Sequence, residues 1–151
     1  MDKRTEKAIA LATKWYPKGK LAHSMRVANY AIQEAKLLGY DTEETEEIFQ
    51  VAILHDILED TECPRNTVLE TLYYQSLTDA LERLTHKEED SYEEYIIKLC
   101  DDSNVHDATQ VKSLAYARII KRADMKDHLT IEETLNENLK QKYFPIIKYL
   151  L

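Results

Sequence analysis

Turn-forming residues are almost missing from this chain, whose 151 residues include only two Gly and three Pro. An antiparallel β fold needs a turn roughly every 8–12 residues, so the composition argues against a many-stranded β architecture and an all-α fold is expected. A cationic excess is also lacking. Asp and Glu number 28 against 20 Lys and Arg, a net charge of -8, which disfavours a nucleic acid polymer as partner. A nucleotide-sized ligand stays open, because a metal and a few local cations can reverse the field inside a pocket. The two cysteines, Cys63 and Cys100, have no CxxC spacing and read as free thiols of a reducing compartment. No apolar run approaches the ~20 residues that cross a bilayer, and the opening MDKRTEKAIA has no signal-peptide core. A cytoplasmic protein with no membrane partner is the expectation.

The 44% hydrophobic and 32% charged residues suit a globular chain, and 151 residues fit one domain over 1–151. Neither repeats nor linkers divide it. Periodicity and stop signals predict a compact bundle of about six to eight helices. The first covers about 2–14, before Trp15-Tyr16-Pro17, and Lys18-Gly19-Lys20 reads as a loop. The second runs from Leu21 to Leu38 and stops at Gly39; the third, capped at Asp41 or Thr42, continues through Val51-Ala52-Ile53-Leu54 to about Asp60. Further helices are predicted at 65–73, 75–84, 91–100 and 107–127. A last one, at 132–149, is bent near Pro145 and docks through Tyr143, Phe144, Ile146, Ile147 and Leu150.

The richest segment is Leu54-His55-Asp56-Ile57-Leu58-Glu59-Asp60-Thr61. On a continuous helix His55 stacks above Glu59 and Asp56 above Asp60, which gathers an imidazole and three acids on one sector. Apolar neighbours predict burial, and a helix C-terminus disfavours negative charge, so a cation would stabilise the group. The plainer reading is a solvated helix end with His55 bonded to a backbone carbonyl. His23, on the face of Val27 and Ala31, and Asp124, on the face of Ala117 and Ile120, both point inward. With His55 and Asp56 they make two imidazoles and two carboxylates, a set suited to Mn²⁺, Fe²⁺ or Zn²⁺. A lone inward His or Asp is more often a satisfied structural group, and the sequence by itself does not bring these four together.

The order His23, His55-Asp56, Asp124 resembles the H…HD…D signature of the HD superfamily of metal-dependent phosphohydrolases. The string AILHDILEDT (52–61), then Leu84-Thr85, Asp90-Ser91-Tyr92 with Tyr95, and Lys121-Arg122-Ala123-Asp124 is similar to the RelA/SpoT-type guanosine polyphosphate (ppGpp) hydrolase domain, over about residues 18–130. The resemblance implies His23, His55, Asp56 and Asp124 as ligands of one divalent ion, Mn²⁺ first, with Fe²⁺, Zn²⁺, Co²⁺ or Mg²⁺ as the other ions. It implies Glu59 and Asp60 as the pair that orients or deprotonates the attacking water. Three positions depart from that family: His128 stands where it carries Asn, Lys20 where an aromatic is common, and residues 15–20 lack its guanine-packing Arg.

A small-molecule nucleotide is the expected partner. Lys18, Lys20 and Lys121 are candidate phosphate contacts, Tyr92 a stacking surface for a base, and His128 a phosphate contact or a surface residue. A solvated loop is the plain alternative for the first two lysines, and a core edge for Tyr92 and Tyr95. Only one of Lys121 and Arg122 can face a pocket, and His86 and His106 receive no role. The functional expectation is hydrolysis of a phosphorylated nucleotide, as a stand-alone hydrolase because the chain is too short for a synthetase domain. The alternatives are an HD-type nucleoside 5'-monophosphatase and a non-catalytic regulatory HD module that binds a nucleotide or metal. The oligomeric state and the native metal are left open.

Overall fold

A computed structural model describes residues 1–131 and 137–150, and every regular element among them is a helix. They are α1 (Lys3–Trp15), α2 (Lys18–Leu37), α3 (Thr42–Ile53), α4 (Ile57–Asp60), α5 (Arg65–Leu72), α6 (Gln75–Leu84), α7 (Tyr92–Cys100), α8 (Ala108–Thr130), α9 (Glu137–Tyr143) and α10 (Ile147–Leu150). Eight have seven or more residues, while α4 and α10 are single turns of four. The all-α bundle expected from the composition is therefore what the chain forms.

Local chemistry sets the ends. Asp41 caps α3 in a reciprocal capping box with Glu44. Gly39, at φ +88°, closes α2 in a Schellman turn, with Tyr40 N–H donating to the Ala35 carbonyl at 3.1 Å. Two expectations are corrected. Lys18-Gly19-Lys20 is the first turn of α2 rather than a loop: Pro17 presets φ, needs no N–H partner, and its carbonyl accepts Leu21 N–H at 2.9 Å. The third helix does not run unbroken to Asp60 but stops at Ile53 and restarts at Ile57, with His55-Asp56 in the break.

The main core lies where α2 packs on α3 and α8, and α8 on α6. Ala28, Ala31 and Ala35 of α2 keep those crossings close, against Ile48 and Val51 of α3 and Tyr116, Ala117 and Ile120 of α8, all fully buried. Each large apolar side chain so buried contributes roughly 1.5–3 kcal/mol. A second cluster joins Tyr95 and Ile96 of α7 and Met125 of α8 to Tyr143, Ile146 and Leu150. Of the expected docking residues Ile147 is half-buried, and Phe144 is corrected: it turns outward, 56% exposed, because the chain bends at residues 144–146 around Pro145. Residues 132–136 of the expected last helix lie outside the described residues. No described helix is long and apolar enough to cross a membrane, and Cys63 and Cys100 are both free.

Candidate metal centre

The break between α3 and α4 has an identifiable cause. A continuous helix would give the Ala52 carbonyl to the Asp56 amide. Instead that carbonyl takes the His55 amide at 3.3 Å and lies 2.7 Å from His55 Nδ1, while Asp56 N–H donates to Tyr16 Oη at 3.2 Å. The chain therefore tightens into three-residue turns that aim the imidazole and carboxylate of the His-Asp pair inward. α2 supplies His23 and α8 supplies Asp124 to the same point.

One ligand atom from each of His23, His55, Asp56 and Asp124 lies within 4.8 Å of every other, so the four can hold a metal ion. His23 Nε2 is 3.0 Å from Asp124 Oδ1 and 3.7 Å from Asp56 Oδ2; His55 Nε2 is 3.0 Å from Asp56 Oδ2 and 3.4 Å from Asp124 Oδ1. An ion with bonds of about 2.0–2.2 Å separates adjacent ligands by roughly 3 Å, close to these edges.

The tautomers fit the same picture, assigned from hydrogen-bond partners. The Ala52 carbonyl can only accept, so His55 Nδ1 carries a proton and Nε2 is the free nitrogen. That Nε2 is buried and makes no hydrogen bond of acceptable angle, despite the nearby Asp56 oxygen. His23 Nδ1 is 2.6 Å from Asp127 Oδ2, a carboxylate that fixes the ring and turns Nε2 toward Asp124. Two lone pairs and two carboxylates thus converge on one buried point, an arrangement that only a cation or extra protons satisfy.

Without a metal, protons fill that role. Burial opposes a charged His55, but Asp56 and Asp124 outweigh it and push its pKa up to about 10. Burial likewise works against charge on Asp56, which His55 nonetheless holds below the usual carboxylate range. Lys121, with Nζ 3.0 Å from Asp124 Oδ2, lowers Asp124 well below that range against its burial. An ion binding at neutral pH must therefore displace a proton from His55. Affinity is expected to rise about tenfold per pH unit until the pH approaches 10, with one proton released per ion. Calorimetry in buffers of different ionisation enthalpy reads that proton directly. An affinity flat between pH 6 and 9 would remove His55 from the ligand set.

Around the quartet opens a cavity of about 270 Å³. Lys20 bridges Asp56 at 3.1 Å and Asp60 at 2.8 Å on one side. Lys121 and Tyr92 line another, with His128, whose Nε2 is 3.4 Å from Asp124 Oδ1. Glu59 accepts the His86 amide at the rim, and partial desolvation of its carboxylate by the cavity walls raises its pKa above the usual glutamate value. Glu59 and Asp60 are exposed at this rim, where the sequence predicted burial on several sides: one turn after the break they face the opening, not the core. Lys18 is exposed and does not line the cavity, because the first turn of α2 points it away from Lys20. Arg122 pairs with Glu34 at 2.6 Å on another face, so Lys121 is the inward member of that pair.

Four residues join the site without having been singled out as site residues. Asp127, fully buried, also accepts from Arg26 Nε at 2.7 Å, and its spacing three after Asp124 was its only signal. Tyr16 holds the Asp56 amide, His86 lines the cavity, and Lys142 of α9 reaches it from the far end of the chain. Taken together, the chain is an all-α protein with a two-histidine, two-aspartate group, buried but for the half-buried Asp56, that is able to hold a metal ion. Neither a scan against protein-family models nor a search of curated proteins finds a match for it.

Proposed function

We propose that this chain is a metal-dependent phosphohydrolase of the HD superfamily acting on a phosphorylated nucleotide, with (p)ppGpp-type pyrophosphate hydrolysis as the first reaction to test. The observation that carries this reading is the convergence of two imidazole lone pairs and two carboxylates at a cavity with acids on its rim and lysines on its walls. His23, His55, Asp56 and Asp124 would hold the ion, which supplies Lewis-acid stabilisation of a phosphoryl oxygen. A mixed imidazole–carboxylate set suits Mn²⁺ first and Fe²⁺, Zn²⁺ or Co²⁺ next; Mg²⁺ prefers fewer nitrogens.

The chain's own groups divide the remaining work. Lys121 offers an ammonium to substrate phosphate beside the quartet. Glu59, whose raised pKa brings it nearer to neutrality, is placed to take the proton of an attacking water, and Lys20 holds Asp60 beside it. Asp127 keeps the His23 ring in the tautomer that binds metal.

The test is a panel of nucleotides incubated with the Mn²⁺-loaded protein, with pyrophosphate and phosphate release read separately. Pyrophosphate release from a 3'-diphosphorylated nucleotide is the expected result. Phosphate release from 5'-monophosphates would replace it with the nucleotidase reading. Silence across the panel, with metal bound, would leave a regulatory module.

A further inference from the structure

Asp127 is the most deeply buried acid among the described residues, 0% exposed, and it is not one of the quartet. Both of its oxygens are engaged from α2. Arg26 Nε donates to Oδ1 at 2.7 Å and Arg26 Nη2 to Oδ2 at 3.1 Å, so the guanidinium grips the carboxylate with two bonds. Oδ2 also lies 2.6 Å from His23 Nδ1. Arg26 follows His23 by three positions, which puts the two on one face of α2, where a single α8 acid serves both. A tie between these helices does not need Asp127. Further along α2, Glu34 already pairs with Arg122 of α8 at 2.6 Å.

An Asp carboxylate turns easily about its Cβ–Cγ bond, because that torsion has only broad minima. The planar fork of a guanidinium fixes the carboxylate plane, which the point charge of a Lys ammonium would not. A carboxylate so fixed holds the proton on His23 Nδ1 and the plane of the ring, and thereby directs Nε2 at the metal position. We infer that Arg26 is a positioning residue of the metal centre, acting through Asp127 on His23. The inference rests on the metal-binding part of the proposed function, not on the reaction or its substrate. Loss of Arg26 would leave the buried Oδ1 without that donor. A buried acceptor left unpaired is costly, so the carboxylate would turn toward other donors and release its hold on Nδ1.

The experiment measures Mn²⁺ affinity by calorimetry in the full chain and its variants. Arg26→Met should weaken binding about tenfold, the lower end of the range for a group that orients a ligand, because Arg26 acts at one remove. Arg26→Lys, which keeps the charge but not the fork, should recover part of the loss. Glu34→Gln, which cuts the other α2–α8 ion pair, should bind Mn²⁺ like the parent. In an Asp127→Asn background, already weakened, adding Arg26→Met should cost nothing further, since residues acting in one network are not additive. The Zn²⁺-loaded protein supplies a signature that helix pinning alone would not move. Its His23 Nδ1 proton should be downfield and slow to exchange with water in the parent, and faster to exchange in Arg26→Met. Parental affinity in Arg26→Met overturns the inference. So do an equal loss in Glu34→Gln, full additivity in the double variant, or an unchanged His23 proton. If Arg26→Met does not fold, Arg26→Lys takes its place, and parental affinity and proton exchange there overturn the inference. A parent that takes up no Mn²⁺ sinks the metal centre and this inference together. A parent that binds Mn²⁺ but hydrolyses no nucleotide sinks the phosphohydrolase reading alone, and the variants still decide the role of Arg26.

Discussion

Asp56→Ala is expected to abolish divalent-metal binding while leaving the helical fold intact. The carboxylate is one of two negative charges facing two imidazole nitrogens, with Oδ2 3.0 Å from His55 Nε2 and 3.7 Å from His23 Nε2. Loss of a group that merely orients a ligand costs about 10–100-fold in metal affinity. Loss of a charged ligand itself should exceed that range. The fold should tolerate the change because the side chain makes no capping bond to α4, and the backbone amide that shapes the turn still donates to Tyr16.

Two opposing effects act on the metal-free variant. Asp56 loses favourable pairing with His55 and Lys20, but its removal also relieves repulsion from Asp124. The net change without metal is therefore expected to be small beside the loss with metal. The parent gains about 2.7 kcal/mol at a metal concentration one hundred times its dissociation constant, and the variant should gain none. Thermal denaturation with a chelator and with Mn²⁺ separates the two. Asp56→Asn, which keeps an oxygen but not the charge, should fall between parent and Ala. Equal affinity in parent and Asp56→Ala would show that the quartet is not the metal site.

Much of this centre was legible in the residue order because burial and charge conflict there. His23 and Asp124 occupy inward faces of long periodic helices, and their elements meet as the apolar stripes of α2 and α8 require. The break at residues 54–56 was not legible. No Gly or Pro marks it, and it arises from Tyr16, 40 positions away, competing for the Asp56 amide. Lys18-Gly19-Lys20 misled in the opposite direction: a Gly between two cations suggests a loop, yet Pro17 starts the helix and directs Lys20 at two carboxylates. Asp127 and Lys142 were not legible either, because an acid or a lysine in a polar stretch is ordinarily solvated. Only tertiary packing shows Asp127 against His23 and Lys142 over Tyr92.

Glu59→Gln is expected to keep metal and fold while slowing turnover about 10²–10⁴-fold, or roughly 3–5 kcal/mol of barrier. Glu59 Oε1 accepts the His86 amide, a bond that the Gln oxygen retains, so the substitution removes basicity with little loss of packing. Glu59 Oε2 has no hydrogen bond among the described residues and is the atom available to a water. Asp60→Asn should cost less. Its Oδ2 lies 2.8 Å from Lys20 Nζ, and a carboxylate held by an ammonium is a weaker base. The order of the two losses thus distinguishes base from neighbour, a distinction that adjacent acids in a sequence do not reveal. If both residues were only a solvated helix end, both variants would turn over at the parental rate. Saturating metal and substrate keep binding out of the comparison, and single-turnover rates place the loss in the chemical step. Near-parental rates in both variants would remove the pair from catalysis, and a larger loss in Asp60→Asn than in Glu59→Gln would assign the base to Asp60.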